Sequence, residues 1–239
     1  MRNVVSMLLI LGFTFYLVTF LVPTLSDVDD AGRGVAAEEI IETNAEETGS
    51  ANVVTAVVVQ FRGLDTLGEV TVLFVSALGV ALLAGALQDG AFREMYRDGG
   101  GFVLQAGSRL LLPVIVMIGA YIVAHGHLSP GGGFPGGVLI ATAVLVLLFT
   151  RHEQRLPHPL LAIFEGLAGI AFVAIGLAGL YGRPGSFLAN VLPLGSFGTL
   201  FSAGSIPVLY AIVAVKVASE LSNLVSGISG LDDHEEVEA

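Results

Sequence analysis

Five ionisable side chains stand in or beside stretches of sequence too apolar to belong in water: Asp65, Glu69, Glu165, Lys216 and Glu220. A charge at membrane depth is costly and faces protein or water, so each is a functional candidate by default. Asp65 and Glu69 are four residues apart and share a helix face. Two carboxylates there could bind a cation or share a proton. The structural alternative is helix capping, with Asp65 as N-cap and acids favoured in the first turn; it accounts for Asp65 better than for Glu69. Glu165 lies about 7 Å into its apolar stretch at ~1.5 Å per residue, where snorkelling to the interface or helix-end charge is the alternative to a functional role. Lys216 lies near the middle of its stretch and Glu220 one turn later, spaced for an i, i+4 ion pair. That pair serves either as a neutralising structural element or as a proton relay, because a buried lysine shifts its pKa readily. No contact between Glu165 and this pair follows from the sequence.

Two histidines, His125 and His127, sit at the end of another apolar stretch. Without a further ligand cluster they make a poor metal site, and the expectation is polar helix-end or loop residues packed against the next segment, with no metal. That next segment is Ser129-Pro130-Gly131-Gly132-Gly133-Phe134-Pro135-Gly136-Gly137. Three consecutive glycines between prolines do not belong in a helix interior. The segment lacks the Gly-Lys-Ser/Thr ending of a phosphate loop, so its expected role is structural: close backbone approach, or a bend at membrane depth. Gly133, Gly137 and Ala141, and likewise Ala77, Ala81 and Gly85, recur four apart as small-residue packing surfaces.

The elements that must hold these residues are apolar helices. A spanning helix needs about 20 mainly apolar residues. Six stretches qualify or come close: Val4–Val22, Val70–Leu87, Leu110–Ala124, Val138–Thr150, Leu160–Tyr181 and Ile206–Val225. The third and fourth are short, and could form a hairpin that does not fully cross. Val53–Phe61 is apolar but too short to span; it lies in the interface or forms a short buried helix. Continuous runs exclude the alternating pattern of a β-barrel. The fold class is therefore an all-α integral membrane protein with about six transmembrane helices. Val4–Val22 reads as an uncleaved anchor, being longer than the usual signal-peptide core. Arginine placement in the loops predicts an N-in/C-in orientation.

Composition agrees. The 239 residues are 54% hydrophobic and 13% charged, with mean hydropathy +0.83 and net charge −11. A soluble domain carries roughly 25% charged residues. There is no cysteine, which excludes disulfides, thiolate metal sites and thiol catalysis. Acidic blocks between Asp27 and Glu47 and between Asp232 and Glu238 read as solvated segments. Nucleic-acid binding lacks its basic footprint. The expected organisation is a two-span membrane segment over 1–92 with an acidic outer loop at 25–50. A linker follows at 93–102, then a four-span domain over 103–228 and an acidic tail over 229–239. No nucleophile elbow, zinc-protease motif or dinucleotide fingerprint is present, so no enzymatic activity and no cofactor are expected.

His127-Leu128-Ser129-Pro130-Gly131-Gly132-Gly133-Phe134-Pro135-Gly136-Gly137 resembles the signature of the B-type subunit of Mrp-type multisubunit Na+/H+ antiporters, and the resemblance covers roughly residues 103–228. Pro135 departs from the family pattern, where glutamine is common. Asn52-Val53-Val54 through Phe61-Arg62-Gly63-Leu64-Asp65-Thr66-Leu67-Gly68-Glu69 resembles the C-terminal membrane segment of the large A-type subunit of the same antiporters. In related energy-converting hydrogenases this segment is a separate small subunit.

The double resemblance implies a multi-pass subunit of a complex in the cytoplasmic membrane that exchanges Na+ for H+. Its partners would be the other antiporter subunits and membrane lipid. Glu69 would fall on a carboxylate implicated in ion passage, with Asp65, Glu165, Lys216 and Glu220 as further candidates for the ion path. The Gly/Pro segment would carry no chemistry. Two alternatives stay open: the equivalent subunit of a hydrogenase-like, redox-driven ion pump, and a structural scaffold whose buried charges only neutralise one another.

Overall fold

The computed structural model describes residues 35–87, 101–150, 158–182 and 187–229, with scattered helical positions from 7 to 19. The first expected span, Val4–Val22, lies largely outside the described residues, as do most of the 93–102 linker and the acidic tail. The chain divides into two units, residues 1–43 and residues 44–239. The helix α1, Val35–Glu47, begins in the first unit. Everything that follows belongs to the second.

Among the described residues, five helices are long and apolar enough to cross a membrane. They are α3 (Gly63–Leu87), α4 (Phe102–Ala124), α5 (Gly133–Thr150), α6 (His158–Gly182) and α7 (Ile206–Ser229). Helix α3 extends seven residues ahead of the apolar stretch Val70–Leu87, so Asp65 and Glu69 lie in its first two turns. Asp65 is not the N-cap that capping would make it. It is the third helical residue; its N–H donates to Arg62 O at 2.8 Å and its carboxylate pairs with the Arg62 guanidinium. Helices α4 and α5, expected to be short, have 23 and 18 residues. At 1.5 Å per residue they reach roughly 34 and 27 Å, enough for a hydrocarbon core of about 30 Å.

Helix α7 is the hub. Helices α3, α4, α5 and α6 all pack against it, and half of its span is buried. The core gathers Ile206, Leu209, Tyr210, Val213 and Val217 of α7 with Val59, Val70 and Phe172. Small residues make this possible. Gly133, Gly136, Gly137 and Ala141 are all buried in α5. A Cβ on Gly137 would stand 2.8 Å from Ala214 O and 2.9 Å from Val217 Cβ, so α5 touches α7 backbone to backbone. The second expected small-residue surface divides: Ala77 is buried, Ala81 exposed.

The Gly/Pro segment is not loop throughout. Gly131 and Gly132 lie ahead of the helix with φ of 159° and 135°, and α5 begins at Gly133. Pro135 is therefore the third residue of a helix. The N–H it lacks is one that no helix bonds internally there, so proline fits.

Val53–Phe61 is a short helix of two kinds. Residues Val53–Ala56 form α2, capped by Asn52, whose Oδ1 accepts from Val54 N and Thr55 N. A π-helical turn follows over Val57–Phe61. Such turns widen the backbone and leave carbonyls in need of donors; Thr66 supplies one, donating its hydroxyl to Val58 O at 2.6 Å. Between α6 and α7, Leu188 and Ala203 hold positive φ values of 64° and 66° while almost fully buried. Asn190 braces this segment, accepting from Ser205 N at 2.6 Å and Ser205 Oγ at 2.8 Å and donating to Ala203 O at 3.2 Å.

Candidate functional site

Helix periodicity puts Lys216 and Glu220 on one face of α7, and the packing of α6 on α7 brings a third charge to them. Lys216 Nζ lies 3.0 Å from Glu165 Oε1 on α6 and 3.1 Å from Glu220 Oε2. The expected i, i+4 pair thus exists, but Glu165 competes for the same ammonium from 51 residues away. Asn223, absent from the expected candidates although helix period puts it three residues after Glu220 on the same face, donates Nδ2 to Glu165 Oε2 at 3.3 Å. Lys216 Nζ also stands 4.8 Å over the Phe74 ring of α3, a cation–π contact. The cluster is deeply placed: Lys216 is 8% exposed and Glu220 3%. The contact between these two is ionic without hydrogen-bond alignment, since Glu220 Oε1 and Oε2 both lack a donor. Glu165, Glu220, Asn223 and Phe74 line a cavity of about 180 Å³.

Glu69 belongs to a different place. It is exposed, on the wall of a cleft of about 280 Å³ that it shares with Thr66, Thr55, Tyr210 and the three glycines Gly131, Gly132 and Gly133. On its other side it lines an open groove with Val72, Ser76 and Phe134. Phe134 of the Gly/Pro segment borders both. Glu69 and Phe74 are five residues apart on α3, about 7.5 Å of helix rise, so α3 carries both the cleft carboxylate and the ring over Lys216. Asp65 shares the exposed face of Glu69 but is engaged by Arg62.

Between the two halves of the second unit runs a set of polar bonds that sequence reasoning missed. Asn52 donates Nδ2 to Gly126 O at 3.0 Å and to Ser129 O at 2.9 Å, and its N–H to His127 O at 3.0 Å. Ser50 Oγ donates to His127 O at 2.9 Å and Thr55 Oγ1 to Gly126 O at 2.6 Å. The turn that precedes the glycines is thereby fastened to the segment before α3. Small polar residues have many possible partners, and only the asparagine N-cap ahead of an apolar run carries a sequence signal. His125 caps α4 and stacks on Tyr121, while His127 is fully buried with Nε2 3.3 Å from Thr199 O. Burial holds the His127 imidazole below its ordinary pKa of 6.5. Among the described residues no group of three or more histidine, aspartate or glutamate side chains could hold a metal ion.

Known proteins resemble this chain in sequence and fold. Residues 103–223 match the family described as a domain related to the MnhB subunit of Na+/H+ antiporters, and residues 2–88 match MbhE, a subunit of MBH. A probable K+/H+ antiporter A/B subunit of Rhizobium meliloti is 32% identical over 167 residues, 59% of this chain and 17% of that protein. In the membrane-bound sulfane sulfur reductase, an archaeal respiratory membrane complex, one chain superposes with a TM-score of 0.70 at 40% identity; the match covers 95% of this chain and 97% of that one. A chain of the Mrp complex from Dietzia sp. also superposes with a TM-score of 0.70, at 25% identity, covering 97% of this chain and 27% of that one. The chain therefore spans a small part of two of these proteins and nearly the whole of the third.

Proposed function

The chain belongs to the family of domains related to the MnhB subunit of Na+/H+ antiporters, and from that premise we propose that it is a multi-pass membrane subunit of a complex that exchanges a monovalent cation for protons. In this reading it is not itself an enzyme, it sits in the cell membrane with both termini inside, and its partners are the other antiporter subunits. The observation that carries the reading is Lys216 held between Glu165 and Glu220 inside helices otherwise fit for lipid. Charge at that depth is expensive to keep and points to an ion pathway.

Glu69 is the first candidate for the ion path. Its position between a cleft and an open groove supports this. A carboxylate suits the task because Na+ and H+ compete for it, so loading one releases the other. Asp65, tied to Arg62, supports the field at Glu69 rather than binding the ion. Glu165, Lys216 and Glu220 form a second station. The test is Na+-driven proton movement in membrane vesicles bearing the whole complex. Glu69→Gln should abolish exchange with assembly intact; unimpaired exchange would remove Glu69 from the path.

One observation favours a second reading. The 40% identity and near-complete mutual coverage with a chain of a respiratory sulfur-reducing complex support the same module working beside a redox enzyme, where electron transfer drives the ion movement. Purification in gentle detergent separates the two: antiporter subunits co-purifying supports the first, redox subunits the second.

A further inference from the structure

Glu220 is 3% exposed, yet its Oε1 has neither a hydrogen-bond donor nor an ion-pair partner. Asn223 Oδ1, most of a turn further along α7, is buried and without a donor as well. Both residues face the cavity of about 180 Å³ whose wall includes Glu165 and Phe74. At roughly 30 Å³ per water, that is room for an ion with a few waters.

Lys216 does not satisfy these atoms. Its Nζ engages Oε1 of Glu165 and Oε2 of Glu220. The opposite oxygens are left to the cavity, where Glu165 Oε2 receives only the long bond from Asn223. Two carboxylates and one ammonium leave a net charge of −1. An uncompensated charge buried among apolar helices is the costly species, and among the described residues no second basic side chain pairs with either carboxylate. One positive charge restores neutrality, whereas a divalent ion would reverse the imbalance. Donors that are all oxygen suit a proton or a hard cation, not a soft one.

We propose that the cavity between Glu220, Asn223 and Glu165 binds one exchangeable monovalent cation: a proton on Glu220 Oε1, or Na+ in its place. Lys216 acts as a positioning residue. It holds the two carboxylates beside each other with their free oxygens turned to the cavity, and the Phe74 ring covers its ammonium. This deepens the antiporter reading and rests on it for the choice of Na+ as the exchanging ion. The site itself is defined by equilibrium binding, without turnover.

The experiment uses the intact purified complex in detergent, at fixed pH in weak buffer with a pH indicator. NaCl is titrated against choline chloride at constant ionic strength, and carboxyl infrared absorption is recorded in parallel. The wild type should release protons in a saturable way as Na+ is added, with loss of a protonated-carboxyl band. Glu220→Gln should remove that band and its share of the release. Asn223→Ala, which leaves all three charges in place, should move the Na+ midpoint upward about tenfold, the scale of one lost ligating group. No Na+-dependent release in the wild type, or an unchanged band in Glu220→Gln, overturns the site. If Glu220→Gln does not assemble, an unchanged midpoint in Asn223→Ala overturns it. A complex that binds as described but fails to exchange Na+ for H+ in vesicles rejects the antiporter reading and leaves the site standing.

Discussion

Tyr210 on α7 donates its hydroxyl to Thr55 Oγ1 at 2.9 Å, and Thr55 Oγ1 in turn donates to Gly126 O at 2.6 Å. Three distant parts of the chain thus meet in one chain of hydrogen bonds at the wall of the Glu69 cleft. Tyr210→Phe keeps the ring in the core and leaves Thr55 bonded to Gly126, so it should cost about 1 kcal/mol. Thr55→Val strands the buried Tyr210 hydroxyl and should cost more, roughly 1–3 kcal/mol. Thermal unfolding of the two single variants and the double variant measures the coupling; strictly additive effects would mean that the bond contributes nothing.

Removing the ammonium from the charged cluster should be worse than removing everything. Lys216→Met leaves two carboxylates facing each other within the helix layer and should destabilise by about 3–5 kcal/mol. Adding Glu165→Gln and Glu220→Gln to it should recover most of that loss, because no buried charge then remains. Detergent melting temperatures and yields of the single and triple variants test this. A triple variant no better than Lys216→Met would refute it.

Glycines in the spanning helices divide by what surrounds them. Gly137→Ala on α5 drives a methyl into Ala214 O and Val217, an overpacking cost of about 1–3 kcal/mol. Gly166→Ala and Gly169→Ala on α6 meet nothing within 4 Å and should be neutral or stabilising by up to about 1 kcal/mol through helix propensity. Parallel thermal unfolding of the three variants gives the ranking directly.

His127 makes stability depend on pH. Burial lowers its folded pKa below the unfolded value of 6.5, with His125 nearby adding to the effect. The unfolded chain therefore binds the proton more readily. The stability conferred by the neutral buried ring is complete above pH 6.5, is lost as pH falls through the folded pKa, and then levels off. Melting temperature should hold steady from about pH 8 to 6.5 and fall with acidification below that, and His127→Gln should flatten the fall.

The five described spans were legible because a bilayer imposes length and continuous apolarity, and Lys216–Glu220 because helix period alone makes them neighbours. Glu165 could be placed on its helix but not beside Lys216, since that contact depends on how α6 rotates against α7. Phe74 meets the charged cluster from α3 with nothing in its sequence surroundings to mark it, whereas Asn223 follows Glu220 by three residues on α7, and helix period alone places it on that face. The capping alternative put Asp65 just outside its helix, because an N-cap and a first-turn acid carry the same sequence signal; in the fold Asp65 complements the helix dipole from within the first turn. The spacing of Gly133, Gly137 and Ala141 already gave the second half of the Gly/Pro segment a helical surface, and Pro135 sits there because proline is compatible with the first turn of a helix.

The bonds from Ser50, Asn52 and Thr55 to the 126–129 turn bear on why this module can exist as one polypeptide or two. Each is an ordinary non-covalent contact, complete without the peptide linkage between the halves. A covalent joint anywhere between Leu87 and Gly101 adds effective concentration, converting a docking event between membrane segments into a local one. A chain severed there should reassemble when both pieces are made together, with every one of those bonds intact, and should lose mainly its tolerance of dilution.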